Sequence, residues 1–124
     1  MSANKLIVEL QNMNKNSGFM VSLVCTHEGL LVASSDDSMD TEVLAAVVAL
    51  FDDVMKRGVR DLSMRTVDEV TMLDPGKGRL IIRPVYVEER IEFFLVVRAP
   101  TTKYWRRATN NMLSFLQEYF GEGQ

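Results

Sequence analysis

The chain has 124 residues, of which 47% are hydrophobic and 25% are charged, and its formal net charge is −3. This length is sufficient for one domain with a real core, and the balanced charge gives no reason to expect nucleic acid as a partner. The one cysteine excludes an internal disulfide, and no apolar run approaches the ~20 residues of a membrane span. We therefore expect a single domain over residues 1–124 in the cytoplasm, with no signal peptide and no direct membrane insertion.

The N-terminal part predicts a helix followed by a β-hairpin. Ser2 is a suitable N-cap for a helix whose apolar residues recur at helical spacing over 6–13. The alternation over 19–26 predicts a strand, and 30–35 predicts the strand that returns beside it. Gly29 in the intervening turn is free to adopt a positive φ, so the turn is expected to be tight.

A second helix is predicted over Met39–Arg57, with Ser38 as its N-cap and Gly58 just beyond its end. Residues Val43–Phe51 form two and a half turns without a polar side chain. A helix on one sheet needs only an apolar stripe, so one side of this helix requires a second cover. The residues expected to face the sheet are Val43, Val47, Leu50 and Val54. The residues on the opposite side, which need the second cover, include Ala45, Val48 and Ala49.

The remaining chain predicts three strands and a final helix. Residues 61–73 form a long strand whose alternation is interrupted at 66–68, which is typical of a bulge or an edge strand. Residues 79–87 and 91–98 form two more strands, with Pro84 away from a central ladder position or at a bulge. A helix opening at 100–102 has one apolar face, formed by Trp105, Ala108, Met112, Leu116 and Tyr119.

The predicted element order is therefore αββαβββα, an α/β fold of the α+β type. The short turns indicate a five-stranded antiparallel sheet, and strands that are apolar on both faces indicate helices on both sides. The sequence contains no obvious set of catalytic residues. Cys25 and His27 offer too few ligands for a metal and are interpreted as a buried thiol and a solvated turn residue.

Other candidate motifs have ordinary structural explanations. Residues 76–78 lack the spacing of a phosphate loop and are interpreted as a turn. The acidic pairs at 36–37 and 52–53 are typical of a solvated face, and the aromatic and basic residues 104–107 fit an ordinary helix better than a nucleic-acid site. We therefore predict no enzyme activity, no cofactor and no metal.

The hairpin sequence from Gly18 to Ser35, with its turn glycine and the small residues after the second strand, resembles the first hairpin of the roadblock/dynein light-chain family. The acidic stretch, the Ala/Val-rich helix and the element order are also similar to this family, over about residues 6–120. Thr26 departs from the acidic turn residue that is frequent there. The resemblance implies a profilin-like roadblock architecture and non-catalytic platforms for Ras-like small GTPases or motor complexes.

A domain of this size is most similar to the bacterial and archaeal members of the mutual-gliding protein B type, which promote GTP hydrolysis by a partner GTPase. The resemblance also implies a homodimer in which helix two packs on its twin and the third strands join edge to edge. The residues expected to pair are Val43, Leu44, Ala45, Val47, Val48, Phe51, Leu62, Met64 and Thr66. The residues expected to dock the GTPase, at the exposed end of the same helix, are Asp52, Asp53, Lys56 and Arg57.

Several alternatives remain open from the sequence. The flanking helices of the same chain could bury the second face of helix two, which would make pairing unnecessary. A small-molecule sensor of the PAS or GAF kind has a similar layout, but its pocket needs convergent polar groups, and Ser22 is the main polar candidate among the inward positions. The identity of the GTPase, the homo- or heterodimeric state and the effect on hydrolysis, exchange or localisation are not specified.

Overall fold

The structure is a computed structural model that describes residues 3–37 and 40–121. The predicted N-caps Ser2 and Ser38 lie outside these ranges. The elements in chain order are α1 (Ala3–Ser17), β1 (Val21–Thr26), β2 (Leu31–Ser34), α2 (Asp40–Val48), α3 (Leu50–Asp61), β3 (Val70–Asp74), β4 (Gly78–Val87), β5 (Arg90–Ala99) and α4 (Arg106–Gly121).

The five strands form one antiparallel sheet in the order β2-β1-β5-β4-β3. Gly29 in the β1–β2 turn has a φ of +97°, as its position predicts. Pro84 pairs with Phe94 beyond the last β3–β4 pair, which joins Val70 to Ile82, so it does not interrupt that ladder. The predicted α/β fold with a five-stranded antiparallel sheet is confirmed.

Two apolar clusters cover opposite faces of the sheet. On one face, α1 and α4 contribute Leu6, Leu10 and Leu116 to a core that also contains Leu95. On the other face, α2 and α3 pack against a cluster that includes Phe94. Neighbouring residues of β5 therefore point into different layers, as the alternation of a strand requires. The expectation of helices on both sides of the sheet is confirmed.

The predicted second helix is divided into two and ends later than expected. The division falls at Ala49, where the amide of Asp52 donates to the Ala49 carbonyl at 3.1 Å in a tighter, three-residue step. Helix α3 then continues to Asp61, so the prediction that Gly58 lies past its end is wrong. A Cβ at position 58 would approach the Sδ of Met64 to 3.2 Å, so this glycine provides close packing.

The predicted strand over 61–73 is also wrong for most of its length, because only Val70–Asp74 form β3. Residue 61 belongs to α3, and Ser63 has a φ of +59°, which is incompatible with an extended strand. Side chains of β4 hold the segment 62–69 in an irregular path. The Tyr86 hydroxyl donates to the Val67 carbonyl at 3.0 Å.

The last helix begins at Arg106, later than the predicted opening at 100–102. Trp105 precedes it and is partly buried, whereas Thr109, Met112 and Leu116 form the buried face. In the described ranges, no helix combines the length and the apolarity needed to cross a bilayer.

Candidate interaction surface

An exposed apolar stripe runs along α2 and α3. Val43 is 63% exposed, Val47 42%, Leu50 71% and Val54 56%. Their spacing of four, three and four residues keeps them on one side of the helical axis despite the break at Ala49. We call these four residues the outer stripe. Together they present an apolar surface of the kind that marks protein–protein contact sites.

The orientation of these helices is the reverse of the prediction. The outer stripe was expected to face the sheet, but Ala45 and Val48 occupy that position and are fully buried. Small residues are favoured there because they let the helix approach the sheet and the β1–β2 turn closely. A Cβ on Gly29 would lie only 3.0 Å from the Ala49 Cβ, so the turn and the helix are in close contact here. A residue larger than alanine at position 49 would not fit this contact.

The residues predicted to pair on helix two therefore divide into two groups. Val43 and Val47 lie on the outer stripe, whereas Leu44 and Phe51 are partly buried against the core. Ala45 and Val48 were expected to be exposed, which is wrong because both belong to the core. Leu50 and Val54 were assigned to the sheet-facing side, although their exposure places them with the candidate contact residues.

The predicted pairing edge at 62–66 is not a strand. Leu62 is 73% exposed and Met64 44% exposed, and Thr66 is also exposed, but all three lie in the irregular segment after α3. The Met64 amide donates to the Gly58 carbonyl at 3.3 Å, so this segment folds back on the end of α3. Exposure of these side chains is compatible with contact to another molecule, but an edge-to-edge ladder requires strand geometry that they lack.

The strands at the two edges of the sheet are β2 and β3, and within the described residues β3 pairs with β4 alone. Met72 is 42% exposed and Leu73 53% exposed on this strand. A groove of about 420 Å³ separates β3 from α2 and is lined on its helical side by Val43 and Val47. The exposed helix and the open strand edge are thus adjacent. The apolar Met72-Leu73 pair at the end of the predicted strand was the sequence signal for this edge.

Two ion pairs lie beside the outer stripe on α3. Lys56 donates to Asp52 at 2.9 Å, and Arg57 donates to Asp53 at 2.8 Å, each pair one helical turn apart. The side chains of Asp53, Arg57 and Lys56 are 71%, 62% and 50% exposed, as expected for a docking surface. Exposed pairs of this kind add little to stability and are available to a charged partner.

Asp52 differs from the other members of the predicted docking group because its side chain is only 15% exposed. Its Oδ2 also lies 3.4 Å from Nδ1 of His27, which is thus not simply a solvated turn residue. Asp52 Oδ1 is buried and has no hydrogen-bond partner among the residues that the structure describes. The carboxylate therefore links α3 to the β1–β2 turn, and the interpretation of Asp52 as part of a solvated face is wrong for its side chain.

The remaining candidates for chemistry are the Cys25 thiol and possible metal ligands. Cys25 is fully buried, and burial raises the pKa of its thiol to about 12, so the nucleophilic thiolate is strongly disfavoured. Within residues 3–37 and 40–121, no group of three or more His, Cys, Asp or Glu side chains is arranged to hold a metal ion.

Sequence reasoning missed a buried arginine that organises the segment before β3. Arg83 is 2% exposed and donates to the Thr109 hydroxyl of α4 at 2.8 Å and to the Asp68 carboxylate at 3.1 Å. Arg106 pairs with the same carboxylate at 3.0 Å and with Glu69 at 3.2 Å. An arginine among apolar residues in β4 was the available signal, since a buried guanidinium requires several acceptors.

A five-stranded antiparallel sheet with this strand order, two helices on one face and a broken helix on the other defines the roadblock fold, as the sequence resemblance predicted. Among solved structures, the chain is similar to Myxococcus xanthus MglB, with a TM-score of 0.79, 17% identity and coverage of 94% of each chain. It is also similar to an MglB with a tetrameric arrangement, with a TM-score of 0.78, 14% identity and coverage of 96% of this chain and 90% of that chain.

A roadblock/LC7 domain from Streptomyces avermitilis gives a TM-score of 0.78 at 12% identity, covering 91% of this chain and 95% of that chain. No family model matches the sequence, and no curated protein matches it. At these identities the similarity shows the fold. The chain therefore has the roadblock fold, which MglB and the Streptomyces roadblock/LC7 domain share.

Proposed function

We propose that the chain is a non-catalytic regulator that acts as a homodimer in the cytoplasm, binds a Ras-like small GTPase and modulates its GTP hydrolysis or localisation. The observation that carries this proposal is the exposed outer stripe beside the open edge of β3. The sensor alternative of the PAS or GAF kind stays a prediction.

Pairing of two copies would bury the outer stripe against itself. A two-fold axis brings the same patch of both chains together, which suits a continuous apolar stripe. The adjacent β3 edges would then satisfy each other's unpaired backbone groups and form one continuous sheet. The groove between α2 and β3 would receive side chains of the twin, since Met72 and Val47 line it. The tetrameric arrangement of the similar MglB is in keeping with a fold that self-associates.

GTPase binding is supported by the fold and by the exposed charges on α3. Asp53, Lys56 and Arg57 stand beside the outer stripe, so a dimer would place two such sets on one surface. Mixed charges at the rim of an interface favour orientation and association rate. Asp52 would act indirectly, because it fixes Lys56 and His27 from a partly buried position.

The pairing is tested by the molar mass in solution. We expect a mass near twice the 14.1 kDa chain mass by light scattering. Val54→Glu places a charge on the outer stripe and should raise the dimer dissociation constant at least about tenfold, or about 1.4 kcal/mol. Val8→Glu is the matched control, because Val8 is 50% exposed on α1 across the sheet. A monomeric wild type, or equal effects of both variants, would contradict the pairing.

The GTPase role is tested with purified Ras-like GTPases from the same genome. Affinity and GTP turnover should be measured with the wild type and with Lys56→Glu/Arg57→Glu, which should weaken binding while the mass of the dimer is unchanged. Arg107→Glu on α4 is a control at an exposed arginine away from α3. Unchanged affinity of the double variant would remove the docking assignment, and no binding to any such GTPase would remove the function.

A further inference from the structure

A cavity of about 380 Å³ lies between α3, the segment 62–69 and the hairpin that joins β4 to β5. This volume lies in the range of small-molecule sites. Met55, Lys56 and Val59 form its α3 wall, whereas the outer stripe contributes no side chain to it. The cavity is thus separate from the surface proposed for pairing.

The bottom of the cavity is apolar and firmly held. Met55 on α3 is 1% exposed and Ile91 on β5 is 9% exposed. Both belong to the apolar cluster between helices α2 and α3 and the sheet. The Tyr86 ring lines the same space, and its hydroxyl bond to the Val67 carbonyl fixes its position. A preformed apolar wall of this kind accommodates the carbon skeleton of a ligand without rearrangement.

Two exposed arginines line the cavity. Arg65 comes from the irregular segment and Arg90 from the start of β5, and both are exposed. Among the residues that the structure describes, neither forms an ion pair or a side-chain hydrogen bond. Guanidinium groups bind phosphate and carboxylate with paired, charge-assisted hydrogen bonds. The two arginines therefore provide an unused anion-binding capacity in the lining of one cavity.

Glu89 and Glu92 also line the cavity and restrict the class of ligand. Their carboxylates would repel a ligand that carries only negative charge, whereas they accept hydrogen bonds from hydroxyl or amino groups. Lys56 already forms an ion pair with Asp52, so it adds less positive charge to the cavity than the two arginines do. The lining thus favours an anion that also carries hydrogen-bond donors.

The backbone is strained in two segments that contribute residues to the cavity, the segment 62–69 and the β4–β5 turn. Among the described residues, the three non-glycine positions with positive φ are Ser63 at 59°, Glu88 at 53° and Glu89 at 70°. Both central positions of the β4–β5 turn thus adopt a conformation for which Asn-Gly is preferred. Strain of this kind persists where the surroundings fix it and is concentrated at ligand sites and switch regions.

We propose that this cavity is a binding site for a small organic molecule that carries a phosphate or carboxylate together with hydroxyl or amino groups. Arg65 and Arg90 bind the anionic group, Glu89 and Glu92 accept hydrogen bonds from the donors, and the carbon skeleton lies against Met55 and Tyr86. Lys56 belongs both to the cavity wall and to the proposed docking set, but ligand binding as proposed requires neither the GTPase nor the pairing.

The probes are ribose 5-phosphate, gluconate, ribose and inorganic phosphate, each titrated into the full chain and followed by amide chemical shifts. Ribose 5-phosphate or gluconate should cause saturable shifts in α3, the segment 62–69 and residues 88–92. Comparison of these two distinguishes a phosphate from a carboxylate ligand. Ribose and inorganic phosphate should bind at least about tenfold more weakly, since each lacks one of the recognised groups. Equal affinity for either of them, or no saturable shift with any probe up to ~10 mM, overturns the proposal.

Four variants complete the test. Arg65→Gln and Arg90→Gln should each raise the dissociation constant about tenfold or more. Arg107→Gln removes an exposed arginine on α4 and should leave it unchanged, so an equal loss there would show non-specific attraction and overturn the site. Val59→Trp fills the cavity from α3 without altering charge and should abolish the shifts, and retained binding would overturn the site. The spectrum of each variant reports whether it folds. Because no GTPase is present, a negative result here leaves the proposed function standing.

Discussion

Gly29 and Ala49 meet where the β1–β2 turn contacts the break between α2 and α3. A Cβ on Gly29 would lie 3.0 Å from that of Ala49 and 3.4 Å from the Cα of Ala46. The glycine also has a φ of +97°, so it satisfies a backbone and a packing requirement at once. This contact sets how closely the helices approach the sheet, and hence how far the outer stripe projects.

Gly29→Ala should therefore lower the free energy of unfolding by about 1–3 kcal/mol, since it adds backbone strain and crowds the helix. Gly76→Ala is the matched control in another turn, because a Cβ there would meet its nearest neighbour, Asp74 Oδ1, at an ordinary 3.7 Å. Urea denaturation monitored by circular dichroism measures both. Equal stabilities of the two variants would contradict the role of this contact.

Arg83 makes the second prediction, because it is buried and joins β4 to α4 and to the segment before β3. Arg83→Met should lower the free energy of unfolding by about 3 kcal/mol, since Thr109 would lose its charged donor and Glu69 would lose an ion-pair partner at 3.7 Å in a nearly closed environment. This value is at the low end for a buried pair because Asp68 is 59% exposed. The loss is measured by urea denaturation.

Arg60→Met provides the comparison for Arg83, since Arg60 pairs with Asp61 on the exposed surface. Removal of such a pair should change stability very little. If Arg83→Met and Arg60→Met are equally stable, the buried network does not hold the segment 62–69. Amide hydrogen exchange in that segment should increase in Arg83→Met alone.

Cys25 gives a prediction about pH. Burial raises the pKa of the thiol from 9.0 to about 12, so the folded chain keeps a proton that the unfolded chain loses above pH 9. The free energy of unfolding should therefore fall between pH 9 and 12 through this group and be independent of it below pH 9. The difference between wild type and Cys25→Ala, followed by denaturation across this range, isolates the contribution.

At pH 8, a disulfide reagent should label native Cys25 slowly and urea-unfolded Cys25 rapidly, because the native side chain is fully buried. Rapid labelling of the native protein would show that the thiol is accessible and would contradict the interpretation of Cys25 as a buried thiol.

The fold could be predicted because its signals are local. The turn at Gly29, the alternation of the strands and the apolar helices determine the order of elements, and the family resemblance extends over the same residues. The orientation of α2 could not be predicted in this way. A helix that is apolar all round has no periodic signal for its buried side, so the close contact between Ala49 and Gly29 decides it.

The error at 61–73 has a different cause. The alternation of Leu62 and Met64 is compatible with a strand, but the path of this segment depends on Arg83 and Tyr86, which are distant in sequence. Long-range side-chain bonds of this kind leave no periodic trace. The candidate interaction surface consequently includes β3 in place of a strand at 62–66. It also includes Val43 and Val47, which were predicted both to face the sheet and to pair, and which are exposed.

The final prediction concerns this revised edge. Met72 lies on β3 and lines the groove beside Val43 and Val47, so a second copy that covers the outer stripe would also bury Met72. Met72→Lys should therefore raise the dimer dissociation constant about tenfold or more, because a charge would enter an apolar contact. Met20→Lys is matched in residue type and exposure, since Met20 is 52% exposed and Met72 42%, but it lies just before β1 and does not line the groove. Analytical ultracentrifugation across protein concentrations measures both, and equal dissociation constants for the two variants would exclude β3 from the interface.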